Sequence, residues 1–132
     1  MSVEALEHIN IIATDLDHSE AFYCGLLLLR SIAAPPPLTP DNARWLVDER
    51  DVAIIHLNSM DAPRKFDRDL RPAPTGALHH VALRCRGYEA MLGRLNQMGV
   101  RYHQNELPTI NLKQIFLSDP QQILLELNFF GN

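Results

Sequence analysis

Several features that would place a protein in a special class are scarce or missing in this sequence of 132 residues. It has only two cysteines, Cys24 and Cys85, without CxxC spacing, which excludes a disulfide framework and favours reduced thiols. No apolar run approaches the roughly 18 residues that a membrane-spanning helix needs. The N-terminal segment MSVEALEHIN also lacks the basic and apolar regions of a secretory signal. We therefore expect a cytoplasmic protein that does not contact a membrane.

Positive charge is also in short supply. The chain has 12 lysines and arginines against 16 aspartates and glutamates, a formal net charge of −4. Because nucleic-acid-binding proteins neutralise phosphates with basic residues, this balance argues against a nucleic-acid partner. The remaining composition is that of a globular protein, with 46% hydrophobic and 21% charged residues. The length favours a single domain over residues 1–132, and the small surface that such a chain can bury favours self-association.

The sequence repeats itself once. LEHINI at 6–11 aligns with LHHVAL at 78–83, and WLVDERDVAIIHLN at 45–58 aligns without a gap on IFLSDPQQILLELN at 115–128. Both copies of the longer segment have two apolar runs separated by a polar turn, which predicts a β-hairpin in each half.

Each half also has room for one helix between its anchors. Asp17 followed by Glu20 has the spacing of a capping box, which predicts the start of the first helix. The second helix is predicted over Tyr88–Met98, where Gly99 stands at the position of a helix-terminating glycine. The segment 100–103 then predicts a short strand. Each half is therefore expected to follow the order βαβββ.

This organisation predicts an α+β protein made of two repeated modules. Module 1 covers about 4–58 and module 2 about 78–130, with a linker rich in proline and charge at 59–77 between them. Neither half can hide an apolar face alone, so the modules should pack together within one chain or between chains. We expect a cupped mixed sheet with the helices on its outer face.

Alternation along the strands separates aliphatic from polar positions. In each half, the first strand and the last strand have one aliphatic face. The opposite face of each of these strands, called the ligand face below, carries one potential metal ligand. The repeat places His8 at the position of His80, and His56 at the position of Glu126. A lone histidine in a strand is more often a core or surface residue, but four such residues at matching places favour a metal site. Imidazole and carboxylate ligands favour Fe(II), Mn, Ni, Co or Zn over Ca or Mg.

The same faces carry polar side chains that are candidates for substrate contacts. These are Asn10, Asn58, Arg84 and Asn128. The ungapped alignment adds Arg44 and Gln114, which it places at matching strand positions. Arg44 or Arg84 could pair with an anionic substrate, although an exposed arginine is more often only solvated.

Four segments of the sequence follow the order and spacing of a known family. They are LEHINIIATDLDHSEAFY at 6–23, HLN at 56–58, GALHHVALRC at 76–85 and LKQIFLSDPQQILLELNF at 112–129. Together they resemble the vicinal oxygen chelate superfamily, the group of glyoxalases, bleomycin resistance proteins and extradiol dioxygenases. The resemblance covers both halves and implies paired βαβββ modules that form a cupped sheet around a divalent metal ion.

The resemblance also implies the ligands and the assembly. Carried over position by position, the family's metal ligands fall on His8, His56, His80 and Glu126. Members of this length usually form homodimers, and many build each metal site from halves of two subunits, so the site can lie within one chain or across two. Two departures concern turn shape. Gln122 stands where the family's DPxG turn has glycine, and the glycine usual near the end of the first helix is missing from LLLLR at 26–30.

The resemblance implies a metal-dependent enzyme, with a lyase or isomerase of glyoxalase type as the leading hypothesis. Such an enzyme stabilises an enolate or oxyanion of a small substrate with two adjacent oxygens. Glu126 is the first candidate for the catalytic base and His56 the second. An alternative is an extradiol-type ring-cleaving dioxygenase, with His8, His80 and Glu126 as its facial triad. A further alternative is a non-catalytic resistance protein that binds an antibiotic or another small molecule and needs no metal.

Overall fold

A computed structural model describes residues 2–62 and 76–131 and divides the chain into two compact units, Met1–Pro72 and Ala73–Asn132. The strands are β1 (Ile9–Ala13), β2 (Arg30–Ile32), β3 (Ala43–Val47), β4 (Ala53–Ser59), β5 (Val81–Arg84), β6 (His103–Leu107), β7 (Leu112–Ser118) and β8 (Leu124–Phe130), and the helices are α1 (Leu16–Leu27) and α2 (Tyr88–Met98). Of the predicted linker at 59–77, Ser59 ends β4 and residues 63–75 lie outside the described residues. The assignment of 1–132 to one domain stays a prediction.

Each unit contains one four-stranded mixed sheet with the same topology. The strand order is β1-β4-β3-β2 in the first unit and β5-β8-β7-β6 in the second. The first and last strands of each unit pair in parallel, and the other neighbours are antiparallel. The helix of each unit connects its first strand to its second. The predicted α+β class and the repeated βαβββ order are therefore confirmed.

The gap-free alignment of the two hairpins is wrong by one residue along the third strand. In the first unit Trp45 pairs with His56, and in the second Phe116 pairs with Glu126. The cause is an irregularity in β4, where Ile54 is an extra residue that has no counterpart in β8. The last strands of the two units therefore match when 70 is added to the residue number, as predicted. The third strands and the turns match when 71 is added.

Helix α1 begins two residues earlier than predicted. Its N-cap is Asp15, whose Oδ1 accepts a hydrogen bond from the backbone N–H of His18 at 3.0 Å. Asp17 lies within the first helical turn, and its carboxylate accepts a hydrogen bond from Arg44 at 2.6 Å. The predicted capping box is therefore wrong, because Asp15 satisfies the free N–H group and Asp17 contacts the sheet.

Helix α2 has the predicted bounds, and Gly99 ends it in a left-handed conformation with φ 67°. The strand predicted at 100–103 lies mostly further along the chain, at His103–Leu107. Val100 cannot begin that strand because its N–H donates to the carbonyl of Leu95 and completes the helix terminus. Strand pairing starts only where His103 faces Phe116.

The helix of each unit covers the aliphatic face of that unit's own sheet. In the first unit α1 buries Phe22, Tyr23 and Leu26, and the strands below bury Ile55 and Leu57. In the second unit α2 buries Met91 and Leu95 and the strands bury Ile115, Leu125 and Leu127. Each of these large side chains contributes about 1.5–3 kcal/mol by leaving water. No helix in the described part of the chain is long and apolar enough to cross a membrane.

Candidate metal centre

The four predicted metal ligands lie in two pairs, one in each unit. His8 directly precedes β1 and His56 lies in β4, while His80 directly precedes β5 and Glu126 lies in β8. The strand register pairs Asn10 with His56 and Ala82 with Glu126. His8 thus stands two residues before the partner of His56, and His80 stands two residues before the partner of Glu126. The two pairs occupy equivalent positions in the two sheets.

The pair in the second unit has the separation of two ligands of one ion. Nε2 of His80 lies 3.4 Å from Oε1 of Glu126. Two donor atoms about 2.1 Å from a tetrahedrally coordinated ion are about 3.4 Å apart. The Glu126 side chain is 15% exposed and that of His80 is 35% exposed, so the carboxylate is the more shielded partner. This pair fits a divalent metal in both donor type and donor separation.

The pair in the first unit is arranged differently, because its two imidazoles are stacked. The ring centroids of His8 and His56 are 3.7 Å apart and the ring planes differ by 12°. The lone pair of an imidazole nitrogen lies in the plane of its ring, so two parallel rings do not direct their lone pairs at a common point. His8 and His56 fit a metal in donor type, but one ring has to turn before both can bind the same ion.

An aromatic side chain flanks each last-strand ligand position. The Trp45 indole stacks on the other face of His56, with centroids 4.0 Å apart and planes 10° apart. Phe116 is the register partner of Glu126 in the second unit. Burial lowers the pKa of His56 below its usual value, and the neighbouring His8 lowers it further. The neutral imidazole is the form that binds a metal or accepts a proton.

The residue before His8 and the residue before His80 each contact Nδ1 of the histidine that follows. Nδ1 of His8 lies 2.9 Å from Oε1 of Glu7, and Nδ1 of His80 lies 2.9 Å from Nδ1 of His79. Histidines that bind metals usually have their other ring nitrogen held in this way. Glu7 and His79 were not predicted for this role. Their equivalence follows from the repeat, because 6–11 aligns with 78–83 and position 7 therefore aligns with position 79.

Side-chain amides near Glu126 are hydrogen-bonded to one another. Asn105 donates to Gln114 at 2.8 Å, Gln114 donates to Asn128 at 3.1 Å, and Asn128 donates to Oε2 of Glu126 at 2.8 Å. In the first unit Asn58 donates to Asn10 at 3.0 Å. The predicted substrate contacts Asn10, Asn58, Gln114 and Asn128 thus lie on the ligand faces and bond to neighbouring side chains. Asn105 was not predicted, and only its register with Gln114 reveals it.

The two candidate arginines lie in different environments. Arg84 is exposed on the ligand face of its sheet, with its guanidinium 4.3 Å from the centroid of the Phe130 ring. Arg44 pairs with buried Leu57 on the opposite, helix-covered face of its sheet, and it bonds to Asp17 and Glu20 of α1. The predicted match between Arg44 and Gln114 is therefore wrong, because the extra residue in β4 shifts the register by one.

The two cysteines do not supply a thiolate near neutral pH. Burial raises the pKa of Cys85 to about 11 and also raises the pKa of Cys24. Within residues 2–62 and 76–131, no group of three or more His, Cys, Asp or Glu side chains is close enough to hold one ion. The candidate metal ligands therefore remain the histidine pair of one unit and the histidine–glutamate pair of the other.

Comparison with known proteins gives consistent matches over nearly the whole chain. The sequence model of the Glyoxalase/Bleomycin resistance protein/Dioxygenase superfamily matches residues 5–127. A protein of Arabidopsis thaliana named Glyoxylase I 4 is 25% identical over 129 residues, which are 96% of this chain and 71% of that protein.

Two solved structures illustrate the structural match. A glyoxalase/dioxygenase from Nostoc punctiforme superposes with a TM-score of 0.75 at 14% identity, covering 98% of this chain and 92% of that one. A lactoylglutathione lyase from Agrobacterium tumefaciens superposes with a TM-score of 0.65 at 17% identity, covering 98% and 96%. At these identities the structures establish the fold alone.

Proposed function

The chain belongs to the Glyoxalase/Bleomycin resistance protein/Dioxygenase superfamily, and on this basis we propose that it is a metal-dependent lyase or isomerase of glyoxalase type. The proposed ligands of a divalent Fe, Mn, Ni, Co or Zn ion are His8, His56, His80 and Glu126. The observation that carries the proposal is the 3.4 Å separation of His80 and Glu126. The name of the Arabidopsis relative, Glyoxylase I 4, supports the reaction class.

The proposed substrate is a small molecule with two adjacent oxygens. A bound divalent ion would stabilise the negative charge that develops on these oxygens. Glu126 is the proposed base, since one of its oxygens is held by Asn128 and the other faces His80. His56 is the second proposed base; burial lowers its pKa, which favours the neutral imidazole with a free ring nitrogen. We propose a homodimer as the working assembly.

Metal analysis tests this proposal directly. Protein purified without chelator should contain stoichiometric metal, and His80→Ala and Glu126→Gln should each weaken binding by about tenfold or more. His18→Ala, at an exposed position in α1, is the matched histidine control and should retain the metal. The enzyme proposal would be contradicted if the wild-type protein contained no metal and the His80 and Glu126 variants bound small molecules as the wild type does. That result would favour a non-catalytic binding protein.

One observation favours a ring-cleaving dioxygenase as the second candidate. Because the stacked rings of His8 and His56 do not direct their lone pairs at a common point, only one of them can bind a given ion without a ring rotation. Two histidines and one carboxylate are the facial triad of non-haem iron oxygenases. In that case His56→Ala should keep Fe(II) and catechol-dependent oxygen consumption. Loss of the metal in His56→Ala, with no oxygen consumption by the wild type, would favour the lyase.

A further inference from the structure

We infer that Asn128 and Gln114 are positioning residues that hold Glu126 in place, with Asn105 as the outer end of the same hydrogen-bonded chain. The inference rests on the proposed role of Glu126 as metal ligand and base. The three amides and the carboxylate form an unbroken row across the ligand face of the second unit, with donor–acceptor distances of 2.8, 3.1 and 2.8 Å. The amide groups of Asn128 and Gln114 are thereby engaged with Glu126 and with each other.

The carboxylate dictates the direction of the whole chain. An ionised carboxylate only accepts hydrogen bonds, so Asn128 has to turn its NH₂ group towards Glu126. Its carbonyl oxygen then faces Gln114, which must donate in turn and present its own oxygen to Asn105. All three amide dipoles therefore point their positive ends towards Glu126. Such an aligned row strengthens the final, charge-assisted hydrogen bond.

The arrangement distinguishes the two oxygens of Glu126. Oε2 accepts from Asn128 at 2.8 Å, while Oε1 lies 3.4 Å from Nε2 of His80. Gln114 is only 8% exposed, so its amide needs the two hydrogen bonds that the chain provides. With Oε2 fixed, rotation of the carboxylate is restricted and Oε1 is kept beside the imidazole. This leaves Oε1 as the oxygen available to the proposed metal ion or to a transferred proton.

The first unit shows that the fold itself does not require this chain. The structural counterpart of Gln114 there is Ala43, which has no amide, and the counterpart of Glu126 is His56. Asn58, the counterpart of Asn128, donates instead to Asn10 of the neighbouring strand. The amide row therefore occurs in the unit that carries the carboxylate, as expected if its purpose is to orient Glu126.

Co²⁺ binding tests the inference with a readout that does not depend on activity. We expect Asn128→Leu and Gln114→Met each to weaken Co²⁺ binding by about tenfold or more and to shift the visible absorption of the bound ion. The matched control is Gln104→Met, which removes the same side chain from the same sheet. Gln104 bonds to Tyr88 on the helix side, so this variant should bind Co²⁺ like the wild type.

The variants separate failure of this inference from failure of the proposed function. Glu126→Gln should lose Co²⁺, and a wild-type affinity in that variant would overturn the proposed metal ligand itself. If Glu126→Gln loses Co²⁺ but Asn128→Leu and Gln114→Met bind it with wild-type affinity and spectrum, the positioning role is wrong and the metal proposal stands. Asn105→Ala changes an exposed position in β6 and removes only the outer end of the chain. If Asn128→Leu and Gln114→Met do not fold, Asn105→Ala is compared with Gln104→Met. Weaker Co²⁺ binding by Asn105→Ala supports the inference, and equal binding overturns it.

Discussion

The C-terminal ends of helices α1 and α2 differ in the residue that adopts the left-handed backbone conformation. Leu28, the C-cap of α1, has φ 58°, and the corresponding C-cap of α2 is Gly99 with φ 67°. This conformation costs a residue with a side chain about 1–2 kcal/mol, whereas glycine adopts it without that cost. Leu28 is also 66% exposed and contributes little packing. The glycine missing from the first helix is thus replaced by a strained leucine.

We expect Leu28→Gly to raise the free energy of unfolding by about 0.5–1 kcal/mol, since relief of strain exceeds the added entropy of the unfolded chain. Urea denaturation followed by circular dichroism measures the change. Gly99→Leu is the reverse substitution in the other unit. It should destabilise by a similar amount, because the positive φ strains a residue with a side chain. No clash adds to this cost, since no atom lies within 4 Å of an added Cβ. A loss of stability in Leu28→Gly would contradict the assignment of strain to this residue.

Asp48 in the first hairpin turn makes stability depend on pH. Partial burial acts to raise the pKa of its carboxyl, but hydrogen bonds from the backbone N–H groups of Val52 and Arg50 outweigh it and lower the pKa. A carboxyl whose pKa is lower in the folded state stabilises above its unfolded pKa of about 3.9. This stability is lost as the pH falls through the folded pKa.

Asp48→Asn should therefore reduce the free energy of unfolding at pH 6, and the difference from the wild type should shrink as the pH falls through 4 and below. Urea denaturation of both proteins across this range provides the measurement. Asp41→Asn, in an exposed turn, is the control and should have a smaller effect at pH 6. A difference that stays constant with pH would show that the Asp48 charge does not matter.

At the level of elements, the second helix and the first and last strands of each unit were predictable because their signals are local. Alternation identified the aliphatic faces, and Gly99 marked the end of α2. The start of α1 was not predictable in the same way, since Asp15 and Asp17 are both adequate caps and only the folded chain brings Asp17 to Arg44. A choice between two suitable side chains depends on the tertiary structure.

The site was predictable to the extent that it follows strand parity. His56 and Glu126 lie on the faces that alternation assigned to them. The stacking of His8 on His56 and the amide row around Glu126 depend on side-chain rotamers, which a sequence pattern does not contain. The role of Arg44 was missed because an extra residue in one strand leaves the hydrophobic pattern of the hairpin intact.

Arg44 is expected to join α1 to β3 rather than to bind substrate. Its side chain is 19% exposed and bonds to Asp17 and Glu20. Arg44→Leu should lower the free energy of unfolding by about 1–2 kcal/mol, since two charge-assisted hydrogen bonds are lost, and should leave Co²⁺ affinity unchanged. Arg50→Leu, an exposed arginine in the turn, serves as control for stability. Unchanged stability in Arg44→Leu would contradict this role.

For the molecule as a whole, two units of one topology carry different chemistry. The first unit presents two imidazoles and the indole of Trp45 on its ligand face. The second presents one imidazole and a carboxylate that is held by a row of amides. In the proposed metal site both pairs bind one ion, since imidazole and carboxylate donors together suit a transition-metal ion. Either pair alone offers only two donors.

The proposed four-ligand site predicts the stoichiometry of metal binding. If both pairs bind one ion, the protein should contain one metal ion per chain, and His8→Ala or His80→Ala should each abolish most of the binding. Elemental analysis and Co²⁺ titration of the wild type and both variants measure this. Independent pairs would instead bind two ions per chain, and each variant would lose only one of them. Mixing the two variants adds a further distinction, because recovery of binding in the mixture requires that ligands of one ion come from two subunits of the proposed homodimer.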